Sequence, residues 1–381
     1  MSERNPFTKT LVPMPLGRET TPSVEDAEPP EEPTLRIELQ EHDRVSRYFQ
    51  NMDVVTAREI HGFEGLDVAV TLEKKNENKG GGRNQDMIIA DPHTGLVGVF
   101  DGLGATVNPD DASDLASDLL VPSFQEDLQR TDDPSPDIIH YIVETVPDTD
   151  AQDLLLQDEA LTRKAVALYA ALMRAQDRLL ERKLMTTACV GFVHVAEDGT
   201  RWAMVGNVGD SGAFIRGRDG SLRRITDEGS LLNRLIDLNL LTVEDLYRLK
   251  TNLDEKKDVN GKGYDYLELS NTVMEPLGSE TGIYPTFSLV RMEPGEDLLF
   301  CTDGVIDKYE RLVTEMPPPE ERTLDQMDLV EMSHDAGDGD TLEQRLDSLR
   351  VGAIFRRAYK YDDDIAIVGV HIPEGLKERV G

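Results

Sequence analysis

Alternating hydrophobic and polar positions predict β-strands in several separate parts of the chain. The first alternating stretch covers 65–75, and apolar runs at 87–91 and 96–102 flank the turn sequence DPHTG. Asp-Gly turns between later apolar runs, in EDGT and RDGS, are typical of β-hairpins. These later strand stretches are 186–228, 286–304 and 363–372.

Helical spacing of apolar residues occurs between the strands. Residues 112–128 repeat apolar positions at the helical period, and 158–184 are dense in Ala, Leu and Arg. Residues 231–278 combine helical spacing with a polar stretch, and we interpret them as an appended flap. Further helices are expected between 323 and about 353. Helices interleaved with hairpin-linked strands predict an α+β fold with mainly antiparallel sheets.

Changes of composition near both ends indicate the limits of the folded domain. Residues 1–33 contain SVEDAEPPEEP and are rich in Pro, Glu and Thr, which predicts a disordered tail. The folded domain is expected over 55–372, with a short tail at 373–381. The N-terminus lacks the apolar core of a secretion signal, and no apolar run reaches about 18 residues, so we expect a cytoplasmic location.

The charge balance narrows the classes of partner. The 381 residues include 40 Lys and Arg against 74 Asp and Glu, a formal net charge of −34. Such acidity argues against binding nucleic acid or an anionic membrane, because both require Lys and Arg side chains that neutralise the negative phosphates or lipid headgroups. Two cysteines exclude a disulfide framework and a four-thiolate zinc site. The acidity favours solubility in general and a gathering of carboxylates around cations in particular.

Aspartates stand at the ends of several predicted strands. An Asp-Gly pair after a strand usually forms a turn. Helix-like segments follow Asp101 and Asp303, however, so neither pair closes a hairpin. Ser211 follows another strand-end aspartate but lacks a nucleophile-elbow sequence, so a serine hydrolase is not expected. The strand-end aspartates are Asp86, Asp101, Asp210, Asp303, Asp307 and those at 362–364.

If these strand ends converge, five or six carboxylates share one pocket. Two unit charges about 4 Å apart repel by about 4 kcal/mol at an effective dielectric near 20. Protonation, as in an acid dyad, would relieve the repulsion, and so would divalent cations. The number of carboxylates favours cations, and an all-oxygen donor set suits magnesium or manganese. Two such ions about 3.5–4 Å apart can activate water for in-line attack on phosphorus.

Eight motifs occur in an order typical of one enzyme family. They are NQD, VFDGLGA, TTA, VGNVGDSGAFI, ITDEGS, NTVMEPLG, LLFCTDGVID and DDIAIV. Together they resemble the PPM-type (type 2C) metal-dependent serine/threonine protein phosphatases over 55–372. The resemblance implies a four-layer α-β-β-α sandwich, in which helices flank two mainly antiparallel sheets. It also implies hydrolysis of phosphoserine and phosphothreonine by water activated at a binuclear manganese or magnesium centre.

The resemblance implies a role for each residue that matches a family motif. Asp101 resembles the ligand that bridges both metals, and Gly102 resembles the glycine that lends one of them a backbone carbonyl. Asp303 resembles a ligand of the first metal. Asp363 resembles its partner ligand, and its choice over 362 or 364 rests on alignment to the strand that follows.

Two further assignments follow from the resemblance. Asp86 resembles the acidic residue that orders water at the metals, which makes Asp86, Asp101 and Asp303 the expected catalytic set. A weaker third metal site, beyond the two main ions, is expected at Asp210, Asp303 and Asp307.

The sequence departs from the family pattern at the phosphate and at the leaving group. Many members carry an Arg five residues before the Asp of NQD; Gly81 stands there, so Arg83 and Lys79 are the candidates to bind phosphate. Leu103 replaces the His that many members use to protonate the leaving alkoxide. Gln85 replaces a common Glu, and it can hydrogen-bond water without adding charge.

The resemblance also implies the kind of partner. A phosphorylated protein is the expected substrate, paired with a serine/threonine kinase, and the flap at 231–278 and the acidic insertion near 131–158 would supply selectivity. The alternative is a catalytically weak, phosphatase-like regulatory or binding module. Loss of metal ligands would favour that module, and the presence of Asp101, Asp303 and Asp363 favours the enzyme.

Overall fold

A computed structural model describes most of the chain. The described residues are 54–74, 84–103, 109–130, 132–227, 229–252, 255–259, 261–270, 272–309, 329–337, 339–356 and 363–374. The predicted tail at 1–33, most of the tail at 373–381, and the phosphate-binding candidates Arg83 and Lys79 lie outside them.

Strands and helices alternate in blocks along the described chain. The strands are β1 (Val54–Ile60), β2 (Asp67–Glu73), β3 (Asp86–Asp91), β4 (Leu96–Asp101), β5 (Ala188–Val195), β6 (Arg201–Val208), β7 (Gly212–Arg216), β8 (Leu222–Arg224), β9 (Lys257–Val259), β10 (Lys262–Tyr264), β11 (Thr286–Met292), β12 (Asp297–Cys301) and β13 (Ile365–His371). The helices are α1 (Pro109–Leu128), α2 (Pro136–Thr145), α3 (Thr149–Gln157), α4 (Glu159–Arg182), α5 (Leu231–Asp237), α6 (Val243–Thr251), α7 (Tyr266–Ser270), α8 (Asp303–Tyr309), α9 (Leu329–Gly337) and α10 (Leu342–Arg356).

Two antiparallel sheets form the centre of the fold. The first sheet has the order β1-β2-β13-β12-β7-β8, and the second has the order β11-β6-β5-β4-β3. β2 and β13 of the first sheet contact β3 of the second, so the two sheets pack face to face. Every residue of β3 and β4 is buried, because these strands are covered on both faces. The apolar runs in the sequence reflect this double coverage.

Helices cover the outer face of each sheet. α1 and α4 pack on the second sheet around Phe100, Phe124 and Leu168. α9 and α10 pack on the first sheet, where Leu346 and Ile367 belong to one apolar cluster. The order of layers is therefore helix, sheet, sheet, helix. This arrangement confirms the predicted α+β fold of two mainly antiparallel sheets flanked by helices.

Residues 231–278, which we predict to form a flap, contain a small apolar cluster of their own. α5, α6 and α7 enclose an apolar cluster that includes Leu235, Leu249 and Leu269. Thr242 begins α6 with a capping box, in which its hydroxyl accepts the Asp245 N–H and the Asp245 carboxylate accepts the Thr242 N–H. The sequence predicts helices and loops for these residues, and the structure also contains the antiparallel hairpin β9–β10.

The acidic stretch near 131–158 is largely helical in its described part. Pro136 occupies the first turn of α2, and the Asp148 carboxylate caps α3 by accepting the Ala151 N–H at 2.9 Å. Asp158 caps α4 in the same way, accepting the Leu161 N–H at 3.0 Å. Pro and Asp are common in loops, but at the first helical turn they stabilise a helix start. Among the described helices, none is long and apolar enough to cross a membrane.

Candidate functional site

A hairpin places two of the predicted aspartates opposite each other at one end of the second sheet. Its turn is held by Asp91, whose carboxylate accepts the Thr94 N–H at 3.2 Å, and by Gly95, whose φ of 75° suits glycine. The resulting register sets Asp86 directly opposite Asp101. Residues that face each other in an antiparallel pair lie roughly 4.5–5.5 Å apart at Cα and share one face. The turn therefore brings both carboxylates to one site.

The first sheet supplies two more aspartates. Asp303 is the first residue of α8, which follows β12, and Asp363 lies two residues before β13. The two segments are in close contact, since a Cβ on Gly304 would lie 1.7 Å from the Asp364 carbonyl oxygen. No larger residue fits at that distance, so Gly304 allows the Asp303 and Asp363 backbones to approach.

Burial and mutual repulsion raise the pKa of both carboxylates in the second sheet. Asp86 is 1% exposed and Asp101 is 6% exposed, and burial is the main cause that lifts each pKa well above its ordinary value. Asp303, Asp86 and Asp363 raise the pKa of Asp101 further. Asp364, Asp363 and Asp303 do the same for Asp86. Carboxylates of the two sheets therefore act on one another across one site.

Sequence reasoning missed the polar groups that hold this site together. Thr302 Oγ1 donates to Asp86 Oδ2 at 2.7 Å and accepts the Ala366 N–H at 3.0 Å. The Gln85 N–H donates to Asp364 Oδ2 at 2.6 Å. Both contacts join the start of β3 in the second sheet to the first sheet. The only indication of these contacts in the sequence is that each of the three residues is next to a predicted site residue.

Gly102 lies in a tightly packed backbone junction. Its N–H donates to the Gln85 carbonyl at 3.0 Å, and the residue forms an isolated β-bridge with Thr186. A Cβ at this position would lie 2.0 Å from the Pro109 carbonyl oxygen. The backbone here approaches its neighbours more closely than a side chain would permit.

Of the residues predicted for a third site, Asp303 belongs to this group, and Asp210 and Asp307 lie on neighbouring segments. Asp210 is 5% exposed in the connection from β6 to β7, where Arg224 Nη2 donates to its carbonyl at 3.1 Å. Asp307 lies one turn along α8, and its side chain is outside the described part of the structure.

The donor set fits a hard divalent cation. Carboxylate oxygens from two sheets converge at this end of the fold, and such donors suit magnesium or manganese. Burial raises the pKa of the two free thiols, Cys189 and Cys301, which keeps them protonated and unsuited to binding metal. Across the described residues, no three Asp, Glu, His or Cys side chains already stand in a closed ligand arrangement. The carboxylates thus converge without forming a finished coordination shell.

A cavity of about 1440 Å³ is lined in part by residues of the flap. It extends from Gly209, next to Asp210, along β8 and β11 to α5. Arg223 and Arg234 line it, and both side chains are exposed. Asp86, Asp101, Asp303 and Asp363 are not part of its lining. The cavity therefore reaches the residue next to Asp210 and is not lined by those four carboxylates.

Comparisons with known proteins agree on one family and one fold. The family model described as protein phosphatase 2C matches residues 75–347. The solved structure of PppA, described as a key regulatory component of T6SS in Pseudomonas aeruginosa, is 16% identical, with a TM-score of 0.50, 84% of this chain covered and 98% of PppA. At this identity, the likeness concerns the fold.

Two further solved structures give similar values. The S. agalactiae serine/threonine phosphatase is 16% identical at a TM-score of 0.50, with 81% of this chain and 99% of that chain covered. The serine/threonine phosphatase Stp1 from Staphylococcus aureus is 15% identical at a TM-score of 0.50, with 83% and 98% covered. No curated protein is similar enough in sequence to count as a match.

Proposed function

The chain belongs to the protein phosphatase 2C family, and on that premise we propose that it is a metal-dependent phosphatase of phosphoserine and phosphothreonine in proteins. One observation carries the proposal. Carboxylates from both sheets meet at one end of the sandwich, and those of the first sheet raise the pKa of Asp86 and Asp101 in the second. Such a concentration of like charge is unfavourable unless protons or cations bind it, and the number of carboxylates favours cations.

Asp101, Asp303, Asp363 and the Gly102 carbonyl would hold two manganese or magnesium ions, and Asp210 with Asp303 and Asp307 would hold a weaker third. Two ions in such a site polarise the phosphoryl group and lower the pKa of water. The tight packing around Gly102 and Gly304 supports these assignments, because both glycines allow backbone and carboxylate oxygens to approach.

The other residues of the site would orient the reactants. Asp86, held by Thr302, would accept a hydrogen bond from the attacking water and aim it at phosphorus. Arg83 is our proposed phosphate-binding residue, and Lys79 is the next candidate. Leu103 offers no proton to the leaving alkoxide, so that proton would come from water.

The protein substrate would meet the flap as well as the carboxylates. The cavity lined in part by the flap begins beside Asp210 and is open to a chain that carries a phosphorylated residue. A phosphoprotein made by a serine/threonine kinase is the substrate class we propose. Selectivity would then depend on residues of the flap and of β11, away from the reacting phosphate.

Hydrolysis assays with and without metal test this function. The substrates are an aryl phosphate and a phosphothreonine peptide, each with excess chelator and then with added manganese. We expect chelator to abolish turnover and manganese to restore it. Full activity in excess chelator would refute the metal mechanism, and no activity with manganese would favour the non-enzymatic module.

A matched pair of variants tests the site. Asp303→Asn keeps the shape of the side chain and removes a ligand charge, so turnover should fall by orders of magnitude. Asp219→Asn is the control, because Asp219 also precedes a glycine but lies in the exposed turn after β7. Near-normal turnover of Asp303→Asn would show that Asp303 is an ordinary turn residue.

A further inference from the structure

Buried hydroxyl groups connect two of the aspartate segments. The Asp101 N–H donates to Thr187 Oγ1 at 3.0 Å, and the Asp101 carbonyl accepts the Thr187 N–H at 2.8 Å. Thr187 Oγ1 also shares a hydrogen bond of 2.7 Å with Ser211 Oγ. Thr187 and Ser211 are both fully buried. A short chain of hydrogen bonds therefore runs from Asp101 to the residue that follows Asp210.

The methyl group of Thr187 holds the same segment from a second side. A Cβ on Gly209 would lie 2.8 Å from Thr187 Cγ2, so the threonine methyl packs directly on the Gly209 backbone. Gly209 also has a φ of 95°, which suits glycine. Thr187 thus contacts both sides of Asp210, through its methyl at Gly209 and through its hydroxyl at Ser211.

These contacts lie where the second sheet passes into the first. Thr187 stands just before β5 in the second sheet, and Ser211 stands just before β7 in the first sheet. Apolar packing holds the two sheets together but is not directional. Hydrogen bonds have narrow preferred distances and angles, so they can set the separation of groups from different sheets.

We propose that Thr187 and Ser211 are positioning residues that set Asp101 and Asp210 relative to each other. The inference rests on the proposed function, because it makes this hydroxyl pair a support for metal binding. Neither residue would touch the substrate. Groups that orient metal ligands typically change metal affinity by about 10- to 100-fold when they are removed.

Paired substitutions separate the hydroxyl from the methyl of Thr187. Thr187→Val keeps the shape and removes the hydroxyl, and Thr187→Ser keeps the hydroxyl and removes the methyl. Ser211→Ala removes the other hydroxyl and adds no group in its place. Thr226→Val is the control, because the Thr226 hydroxyl is also buried and accepts a main-chain N–H, from Ala213 at 3.0 Å, beside β7 and β8 of the first sheet rather than between the two sheets.

Calorimetric titration of each full-length variant with Mn²⁺, without substrate, measures the proposed effect. We expect Thr187→Val and Ser211→Ala to weaken Mn²⁺ binding by about tenfold or more. Thr187→Ser and Thr226→Val should stay within about threefold of the parent. Melting curves without metal check that each variant folds. If Thr187→Val does not fold, the Mn²⁺ affinity of Ser211→Ala alone tests the proposal.

The outcomes separate this inference from the proposed function. Unchanged Mn²⁺ affinity in Ser211→Ala, and in Thr187→Val where it folds, would overturn the inference, even if the parent binds metal and hydrolyses phosphate. Equal weakening in Thr226→Val would also overturn it, because the effect would then be general loss of stability. A parent that neither binds Mn²⁺ nor hydrolyses phosphate would instead overturn the proposed function.

Discussion

One added methyl group at Gly304 tests the geometry of the site most directly. A Cβ there would lie 1.7 Å from the Asp364 carbonyl oxygen, whereas real Cβ contacts almost never fall below 3.0 Å. In Gly304→Ala, either the backbone at Asp303 or the segment that carries Asp363 must therefore move by at least 1.3 Å. A displacement of about 1 Å in a reacting site costs about 10²-fold in rate, or about 2.7 kcal/mol of transition-state stabilisation.

The assay is the rate on an aryl phosphate with manganese in excess, beside the melting temperature without metal. We expect Gly304→Ala to fold and to lose about 10²-fold in kcat/KM. Gly337→Ala is the matched control, because the nearest atom to its Cβ is 3.9 Å away and the backbone is not left-handed. A Gly304→Ala protein within about threefold of the parent in kcat/KM would refute this reasoning.

Three further predictions concern stability and metal binding. Asp297 is fully buried and accepts from Arg345 Nε at 2.8 Å, and Arg216 and His371 also contact it. Arg345→Met should therefore cost about 1–3 kcal/mol in denaturant unfolding, and an unchanged free energy of unfolding would contradict this. The raised pKa of Asp86 and Asp101 means that the folded, metal-free protein holds protons more tightly than the unfolded chain. Its melting temperature should therefore fall as pH rises above the ordinary carboxyl range near about 4, and manganese should remove this trend. Asp307→Asn should leave tight binding of two metal ions intact and shift only the metal concentration needed for turnover; loss of tight binding in calorimetry would contradict the weaker third site.

Local sequence rules predicted most of the elements. The alternation in 65–75 and the apolar runs around DPHTG correctly indicated β2 and the β3–β4 hairpin, and the dense Ala and Leu of 158–184 indicated α4. These rules succeed because each depends on residues that are close along the chain. The same rules did not specify the structure of 131–158, where Pro136 begins α2 and Asp148 caps α3. Pro and Asp favour both loops and helix starts, and only the packing of the following residues distinguishes them.

The sequence by itself also predicted which aspartates form the site, because the order of the motifs includes them. What only the tertiary structure decided is how those aspartates are held. The Gln85 N–H meets Asp364 Oδ2 although 279 positions separate the two residues, and Thr187 meets Ser211 across the boundary between the sheets. No local pattern encodes such contacts, since they depend on how two sheets with apolar inner faces settle against each other. Side-chain packing sets that separation, and the hydroxyl groups and glycines at the strand ends then decide which polar atoms meet.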